Sequence, residues 1–284
     1  GGPTGEVSKV WFSIADGVLT ETMYGLIHEA QIRQMRFAVV TEDGLSVEGT
    51  DTTHRTEYLH TDAQGRPLSP AYRVITTDKA GRYEIEKRIY TDPDGQALVV
   101  RTTIRALRGD ITPYLLLEPH MANTGVGDRG DVWNTQASAE GDLIVEAGAA
   151  LHASEGDVHL SLETAKALSA VSVGFVGVSD GLTDLRDGRL DNLYRTTGDQ
   201  TGNIMLTGQL PTIHEGETYE QDFVIGFGSN QRLARVAAWK TMETGLDEVL
   251  RRFNGEIGRV GWEDYIASPA QLPRLAEQST DRGR

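Results

Sequence analysis

The sequence contains no cysteine and no long apolar run. Without cysteine, the chain has no disulfides, thiolate nucleophiles or cysteine-type zinc sites, although this does not fix its compartment. The longest uncharged apolar runs, such as Tyr114–Leu117, have the length of a strand. A bilayer span needs roughly 20 apolar residues, so we expect no membrane insertion.

Basic residues are also scarce. The chain carries 27 Lys and Arg against 42 Asp and Glu, a formal charge of −15, whereas nucleic acids are bound by clustered basic side chains. We expect no nucleic-acid partner, which leaves neutral ligands and proteins. The first residues, Gly1-Gly2-Pro3, lack an initiator Met and a signal peptide, as in a processed end. The compartment stays open on these grounds, and a secreted or periplasmic location is our expectation.

Glycine, by contrast, is abundant, with 32 of 284 residues against a usual share of roughly 7%. Turn signals such as Asp43-Gly44 separate segments whose apolar residues alternate. In the first segment Val10, Phe12 and Ile14 share one face. Further strands are predicted at Arg33–Val40, Tyr83–Ile89, Ala97–Ala106, Thr112–Leu117, Val158–Thr164, Asn203–Leu210 and Tyr219–Ile225. About fifteen strands with no long repeat predict an all-β fold, one large sandwich of two antiparallel sheets.

After Gly228 the spacing of the apolar residues changes from every second residue to every third or fourth. Leu233 and Val236, and then Leu246 and Val249, recur as in amphipathic helices. Thr244-Gly245-Leu246-Asp247 resembles a capping box that restarts the helix, and Asn254-Gly255 is a reasonable stop. We therefore predict a β domain over 1–229 and a helical linker over 230–284, whose apolar stripe is buried on the sandwich or on a partner.

The run Ser172–Asp191 crowds glycine and aspartate into a loop after a β-branched strand. Such oxygen-rich loops can hold calcium, with Asp180, Asp184 and Asp187 as the candidate ligands of a structural ion. No other cofactor is expected. The alternative is ordinary turn chemistry, because Asp-Gly pairs are common turn signals and the loop lacks the Asp-x-Asp-x-Asp-Gly order of a helix-loop-helix calcium site.

Glu118 and His120 follow an apolar strand and form the most suggestive acid–base set. The alternative is a histidine at a strand end beside an exposed glutamate. The seven histidines include no His-Glu-x-x-His motif, and no Gly-x-Ser-x-Gly elbow, Walker loop or dinucleotide fingerprint occurs in a usable context.

Aromatic residues offer candidate contact positions. Trp133 lies in a Gly- and Asp-rich stretch, where a ring can stack on a sugar face or touch a partner. Trp239, Phe253 and Trp262 lie in the helical tail and are predicted to pack against a neighbouring domain. Core burial is the alternative for each of them.

Taken in order, these segments resemble the N-terminal domain of bacterial glucoamylases and glucodextranases of glycoside hydrolase family 15. The run Val176-Gly177-Val178-Ser179-Asp180-Gly181 is the most specific of them. Leu182 departs from the family pattern, which favours Trp there, and this puts a ligand-stacking role at that position in doubt. The stretches that carry the resemblance are Ser8–Phe12, Tyr83–Asp92, Leu117–Asn123 with Gly125–Asp128, Val173–Asp191, and Ala237–Tyr265 with Leu272-Pro273.

The resemblance implies a galactose-mutarotase-like supersandwich followed by a helical linker into an (α/α)6 catalytic barrel of the same polypeptide. The barrel carries both catalytic glutamates in such enzymes, so no residue here inherits a catalytic role, and the substrate is an α-glucan. Mutarotase-like folds also include sugar epimerases that use Glu and His, which keeps Glu118 and His120 as a rival site. A carbohydrate-binding module is the third possibility.

Overall fold

The computed structural model describes residues 10–24, 30–137 and 143–255. Two antiparallel sheets dominate it. The first has seven strands in the order β1-β2-β3-β9-β14-β13, with β4 paired to β3. Its strands are β1 (Val10–Ala15), β2 (Val18–Tyr24), β3 (Ala30–Thr41), β4 (Gly44–Val47), β9 (Thr112–Pro119), β13 (Ala170–Phe175) and β14 (Ile204–Gln209).

The second sheet has eight strands in the order β10-β11-β12-β15-β8-β7-β6-β5. These strands are β5 (Thr52–Tyr58), β6 (Tyr72–Asp78), β7 (Tyr83–Thr91), β8 (Ala97–Ala106), β10 (Arg129–Ala137), β11 (Leu143–Glu155), β12 (Val158–Thr164) and β15 (Thr218–Gly228). The all-β prediction with two antiparallel sheets is thus confirmed, and the Ala97–Ala106 and Val158–Thr164 strands have the predicted bounds.

The main core lies between the two sheets, where the period-two pattern places it. Val10, Phe12 and Ile14 of β1 face the core, as do Tyr83, Ile85 and Ile89 of β7, which are fully buried. This burial is the main stabilising term, at about 25 cal/mol per Å² of apolar surface.

One open edge of the sandwich is closed by the segment that follows the Asp-rich run. The Val173 N–H of β13 donates to Tyr194 O (2.9 Å), and the Val132 N–H of β10 donates to Arg195 O (2.8 Å). The segment therefore joins the edge strands of the two sheets and satisfies main-chain groups that would otherwise remain unpaired.

Two helices, α2 (Gln231–Thr244) and α3 (Leu246–Asn254), lie on the outer face of the eight-stranded sheet. The α2 helix approaches β15 very closely, because a Cβ on Gly226 would lie 2.1 Å from Ala234 O. Buried Arg235 donates from Nε to Glu163 Oε1 (3.0 Å) and ties α2 to β12. Among the described residues, no helix is long and apolar enough to cross a bilayer.

The predicted restart and stop of the helical tail are both present, but the predicted capping box is wrong. Thr244 is the last residue of α2, and its hydroxyl donates back to Lys240 O (2.9 Å). No side chain caps α3. The break comes instead from Gly245 at φ 90°, a left-handed conformation that other residues rarely adopt. Gly255, at φ 82°, ends α3 as predicted.

Candidate functional site

The candidate acid–base pair, Glu118 and His120, lies at one end of the sandwich. At that end β9, β13 and β11 finish at Pro119, Phe175 and Glu155. The loops that follow these strands contact one another, since Gly202 N donates to Asp128 O (3.1 Å) and Val176 N to Asn203 O (2.9 Å). We call this end the loop pole.

Glu118 and His120 lie at the end of β9, in the middle of the loop pole. Glu118 is 5% exposed, and one of its carboxylate oxygens accepts a hydrogen bond from the Gln34 amide on β3. His120 is half-buried beside Gly125, where a Cβ would lie 2.6 Å from His120 Nδ1. The two residues therefore differ in exposure, because the Glu118 carboxylate is buried and the His120 imidazole lies nearer the surface.

The Asp-rich run is mainly a packing segment. It contains a one-turn helix, α1 (Gly181–Asp184), and a short 3-10 helix (Leu185–Asp187). Leu185 is fully buried, and Leu182 and Leu190 pack beside it on Tyr114, Leu116 and Met205. These leucines cover the outer face of the seven-stranded sheet, the face opposite the main core.

The candidate calcium ligands separate into two groups. Asp180 is 2% exposed and caps α1, where its carboxylate accepts hydrogen bonds from Thr183 N (2.9 Å), Thr183 Oγ1 (2.8 Å) and Gly177 N (2.6 Å). Asp184 and Asp187 instead converge with Asp191, with one oxygen of each within 4.8 Å of the others. Desolvation and the neighbouring Asp187 raise the pKa of Asp191. We call Asp184, Asp187 and Asp191 the surface acidic cluster, and calcium binding there stays a prediction.

The aromatic candidates are scattered. The Trp133 backbone pairs with Ala150 on β11, and its side chain lies outside the described part of the chain. Trp239 is half-buried on α2, whereas Phe253, 2% exposed, packs against the sandwich. Trp262 lies outside the described residues.

A cleft of about 570 Å³ opens at the loop pole between the β7–β8 hairpin and α2. Its lining includes the ring of Tyr24, the amide of Gln96 and the charged side chains of Lys240 and Glu243. Tyr24 stacks on Phe227 with a centroid distance of 5.2 Å and donates a hydrogen bond to Gln96. Sequence reasoning missed this cleft, because its walls come from segments distant in the chain.

Two polar pairs, each with one buried member, were also missed. Asp128 is fully buried, and its carboxyl lies within hydrogen-bonding reach of Glu155 at the end of β11. Burial, reinforced by Glu155, raises the pKa of Asp128 to about 7. On β11 and β12, His152 Nε2 lies 3.0 Å from His159 Nδ1, and burial, with the neighbouring His159 and Arg235, lowers the pKa of His152 to about 3. The Gly-x-Gly-Asp sequence before β10 was the one local signal for Asp128.

The fold and the loop pole define a large two-sheet β domain with a short helical extension. A profile of the family described as glucodextranase, domain N, matches residues 1–267, and the chain belongs to this family.

A glucoamylase from Clostridium sp. (strain G0005) is 28% identical over 268 residues, which are 92% of this chain and 34% of that protein. The crystal structure of a bacterial glucoamylase complexed with acarbose superposes with a TM-score of 0.77 at 25% identity, over 92% of this chain and 36% of that one. This chain therefore spans about a third of the length of the glucoamylases it matches.

Proposed function

We propose that this chain is the non-catalytic N-terminal domain of a longer, inverting exo-glucosidase that hydrolyses α-glucosidic bonds at the non-reducing ends of starch- or dextran-type glucans. The observation that carries this proposal is the coverage. Nearly all of this chain matches a glucoamylase, but it matches only 34% of that protein's length. The remaining length is where we place the (α/α)6 catalytic domain.

The loop pole supports a role in contacting that domain. Val126 and Val178, on two of its loops, are 70% and 78% exposed. Exposed apolar side chains on neighbouring loops are typical of an interaction surface. The proposed role of the domain is to hold or border the catalytic barrel through this end.

The first test is enzymatic. The chain alone is expected to release no glucose from maltoheptaose or dextran, because the proposal places the catalytic glutamates elsewhere in the polypeptide. Glucose release is measured with a coupled glucose assay, and release at an ordinary enzymatic rate would overturn the non-catalytic role. The sequence encoded after Arg284 gives a second test, and an unrelated domain there would contradict the parent enzyme.

A standalone sugar epimerase is the first alternative, favoured by the placement of Glu118 and His120 at the end of the same strand. It predicts that the chain accelerates glucose mutarotation in a polarimeter and that Glu118→Gln abolishes the acceleration. Glu57→Gln, at a side chain 41% exposed on the edge strand β5, is the matched control. Our proposal expects the same background rate for all three proteins.

Carbohydrate binding without catalysis is the second alternative, and the cleft at the loop pole favours it. Its volume lies within the range of about 300–1,000 Å³ usual for small-ligand sites, and Tyr24 supplies an aromatic ring to its lining. Saturable binding of maltoheptaose in calorimetry, weakened by Tyr24→Ala or by Trp133→Ala, would locate the site at one or the other position. No binding by the unmodified chain would exclude this alternative.

A further inference from the structure

Asp128 is in an electrostatically unfavourable position that the proposed function does not explain. The residue has 0% exposure, and its Oδ1 has no hydrogen-bond donor. Its Oδ2 has one long contact, to the N–H of Met121 at 3.4 Å. A buried carboxylate normally accepts several hydrogen bonds or faces a cation, because the loss of water is otherwise costly.

Its neighbour makes the position worse. Glu155, at the end of β11, brings a second carboxyl within hydrogen-bonding reach of Asp128. Both Glu155 oxygens lie close to the Thr124 hydroxyl, at 3.0 and 2.8 Å. The chain bends tightly around this carboxyl, since a Cβ on Gly127 would lie 2.4 Å from Glu155 Oε1.

The charged neighbour that raises the pKa of Asp128, after burial, is Glu155, which carries the same sign. Within the described part of the chain, neither carboxyl forms an ion pair with Lys, Arg or His. Two neighbouring carboxyl groups in a buried site are stabilised by a shared proton or by a bound cation.

We propose that Asp128 and Glu155 bind a hard divalent cation of the calcium type at the loop pole. Calcium takes six to eight oxygen ligands in flexible geometry. Here the Thr124 hydroxyl and the Asp128 carboxyl both lie beside the Glu155 carboxyl, and water would supply the remaining ligands. The ion joins the loop after β9, which contains Asp128, to the β11–β12 turn, and thereby orders that loop.

This site differs from the surface acidic cluster. Asp187 and Asp191 are exposed there, and the main chain of Arg189 already donates to Asp187 (3.0 Å). Asn192 donates to both oxygens of Asp184, at 2.8 and 3.1 Å. In the described residues, only the Asp128 carboxyl combines complete burial, an oxygen without a donor and a second carboxyl as its neighbour.

The test compares the melting temperature of the chain in EDTA and in millimolar calcium chloride, with the stoichiometry measured by calorimetry. Calcium is expected to raise the melting temperature by a few degrees and to bind with one ion per chain, because an ion that binds only the folded state stabilises it. Asp128→Asn and Glu155→Gln are expected to remove this shift and to weaken binding about tenfold or more. Asp187→Asn, in the surface acidic cluster, is expected to retain both.

Each variant remains informative. Asp128→Asn is expected to fold in EDTA, because the amide removes one of two unbalanced acids. The proposal is overturned if calcium leaves the melting temperature of the unmodified chain unchanged, which would leave a shared proton as the link. It is also overturned if Asp128→Asn keeps the response or if Asp187→Asn loses it, since the latter would place the ion in the surface acidic cluster. None of these outcomes depends on glucan hydrolysis, so they are separate from the proposed function.

Discussion

At the scale of single residues, the main exception to the sequence pattern is Lys87. It lies between Ile85 and Ile89 on the inward side of β7, where alternation predicts an apolar residue. Lys87 is 2% exposed and pairs with fully buried Glu48, which also accepts hydrogen bonds from Thr76 Oγ1 (2.6 Å) and Phe37 N (3.2 Å). The ion pair thus lies inside the core and links the loop after β4 to the second sheet.

Breaking this ion pair on one side is expected to cost stability. Lys87→Met or Glu48→Gln alone should lower the free energy of unfolding by about 3–5 kcal/mol, because one buried charge loses its partner. The double replacement Glu48→Gln with Lys87→Met should cost less than the sum of the two single replacements, because no buried charge is left unpaired and the amide oxygen can still accept from Thr76 and Phe37. Urea unfolding measures all three, and Arg55→Ala in the exposed Arg55–Glu57 pair is the control, expected below about 1 kcal/mol. Additive single and double effects would contradict a coupled pair.

His152 carries the second residue-scale prediction, which concerns pH. Its ring faces His159 and, at 3.9 Å from Nδ1, Asp131, with Arg235 on α2 contributing a further positive charge. The pKa is lowered to about 3 in the folded protein, from roughly 6.5 when unfolded. The unfolded chain therefore binds a proton first as the pH falls. The contribution of His152 to stability is present above pH 6.5 and is lost toward pH 3, by about 1.4 kcal/mol per unit.

His152→Gln is expected to flatten the dependence of the urea midpoint on pH between about 6.5 and 4. Replacement of His214 is the control. His214 is exposed and Asp110 raises its pKa, so its contribution to stability changes with pH in the opposite direction to that of His152. An unchanged pH profile in His152→Gln would show that the folded protein can protonate this ring without cost.

At the scale of elements, the Asp-rich run illustrates how a motif and its role can differ. Its aspartates suggest a ligand loop, whereas its leucines cover the outer face of the seven-stranded sheet. Asp180 contributes to this packing role by capping α1, a type of contact worth about 1 kcal/mol. The main contribution of the run to the fold is therefore the packing of its leucine side chains.

Leu185→Ala should therefore destabilise the protein more than changes at the aspartates. We expect a loss of about 2–5 kcal/mol, because a fully buried leucine leaves a cavity. Asp187→Asn should be neutral or stabilising without calcium, since it removes one of three neighbouring acids. Thermal unfolding in EDTA measures both. Equal losses would indicate that the carboxylates, not the leucines, hold the run in place.

At the scale of the whole molecule, the helices that follow the predicted boundary at residue 229 pack against the sandwich that precedes it. Phe253 and Val249 share a core with Val99 and Val224 of the sandwich, and the Tyr90 hydroxyl of β7 donates to Leu246 O (2.7 Å). The Ser69 hydroxyl donates to Asn254 (2.7 Å) at the end of α3. The α3 part of the predicted apolar stripe is buried on the sandwich. The α2 part is not, because Leu233 is 49% exposed and lines the cleft with Val236, and α2 packs on the sandwich through Ala234 and Ala238 instead. Both helices are expected to unfold with the sandwich.

Removing residues 230–284 should consequently abolish cooperative unfolding or cause aggregation, because Val99 and Val224 become exposed. Phe253→Ala alone should cost about 3–5 kcal/mol, while Leu233→Ala, at a residue 49% exposed on α2, should change stability by less than about 0.5 kcal/mol. Circular dichroism and tryptophan fluorescence should report the same midpoint for the intact chain. An unchanged midpoint after truncation would show that the sandwich folds independently.

The local features of this protein were determined by the sequence itself. Alternation at Val10, Phe12 and Ile14 predicted an inward face, and Gly255 predicted the end of a helix, because both depend on the geometry of a few neighbouring residues. Periodicity and the family resemblance both predicted two antiparallel sheets, and the strand order confirms them. The glucodextranase domain N match confirms the family.

The pairing of distant segments was decided only by the tertiary structure. Lys87 meets Glu48 across 39 positions, and Asp128 meets Glu155 because β10 and β11 pair in antiparallel register. The predicted capping box was wrong for a related reason. Gly245 interrupts the helical conformation between α2 and α3, and the positions of both helices are set by their packing on the sandwich. Which side chains are buried, which like charges are neighbours and which residues line the cleft all depend on contacts between segments distant in the chain. Local periodicity does not predict those contacts.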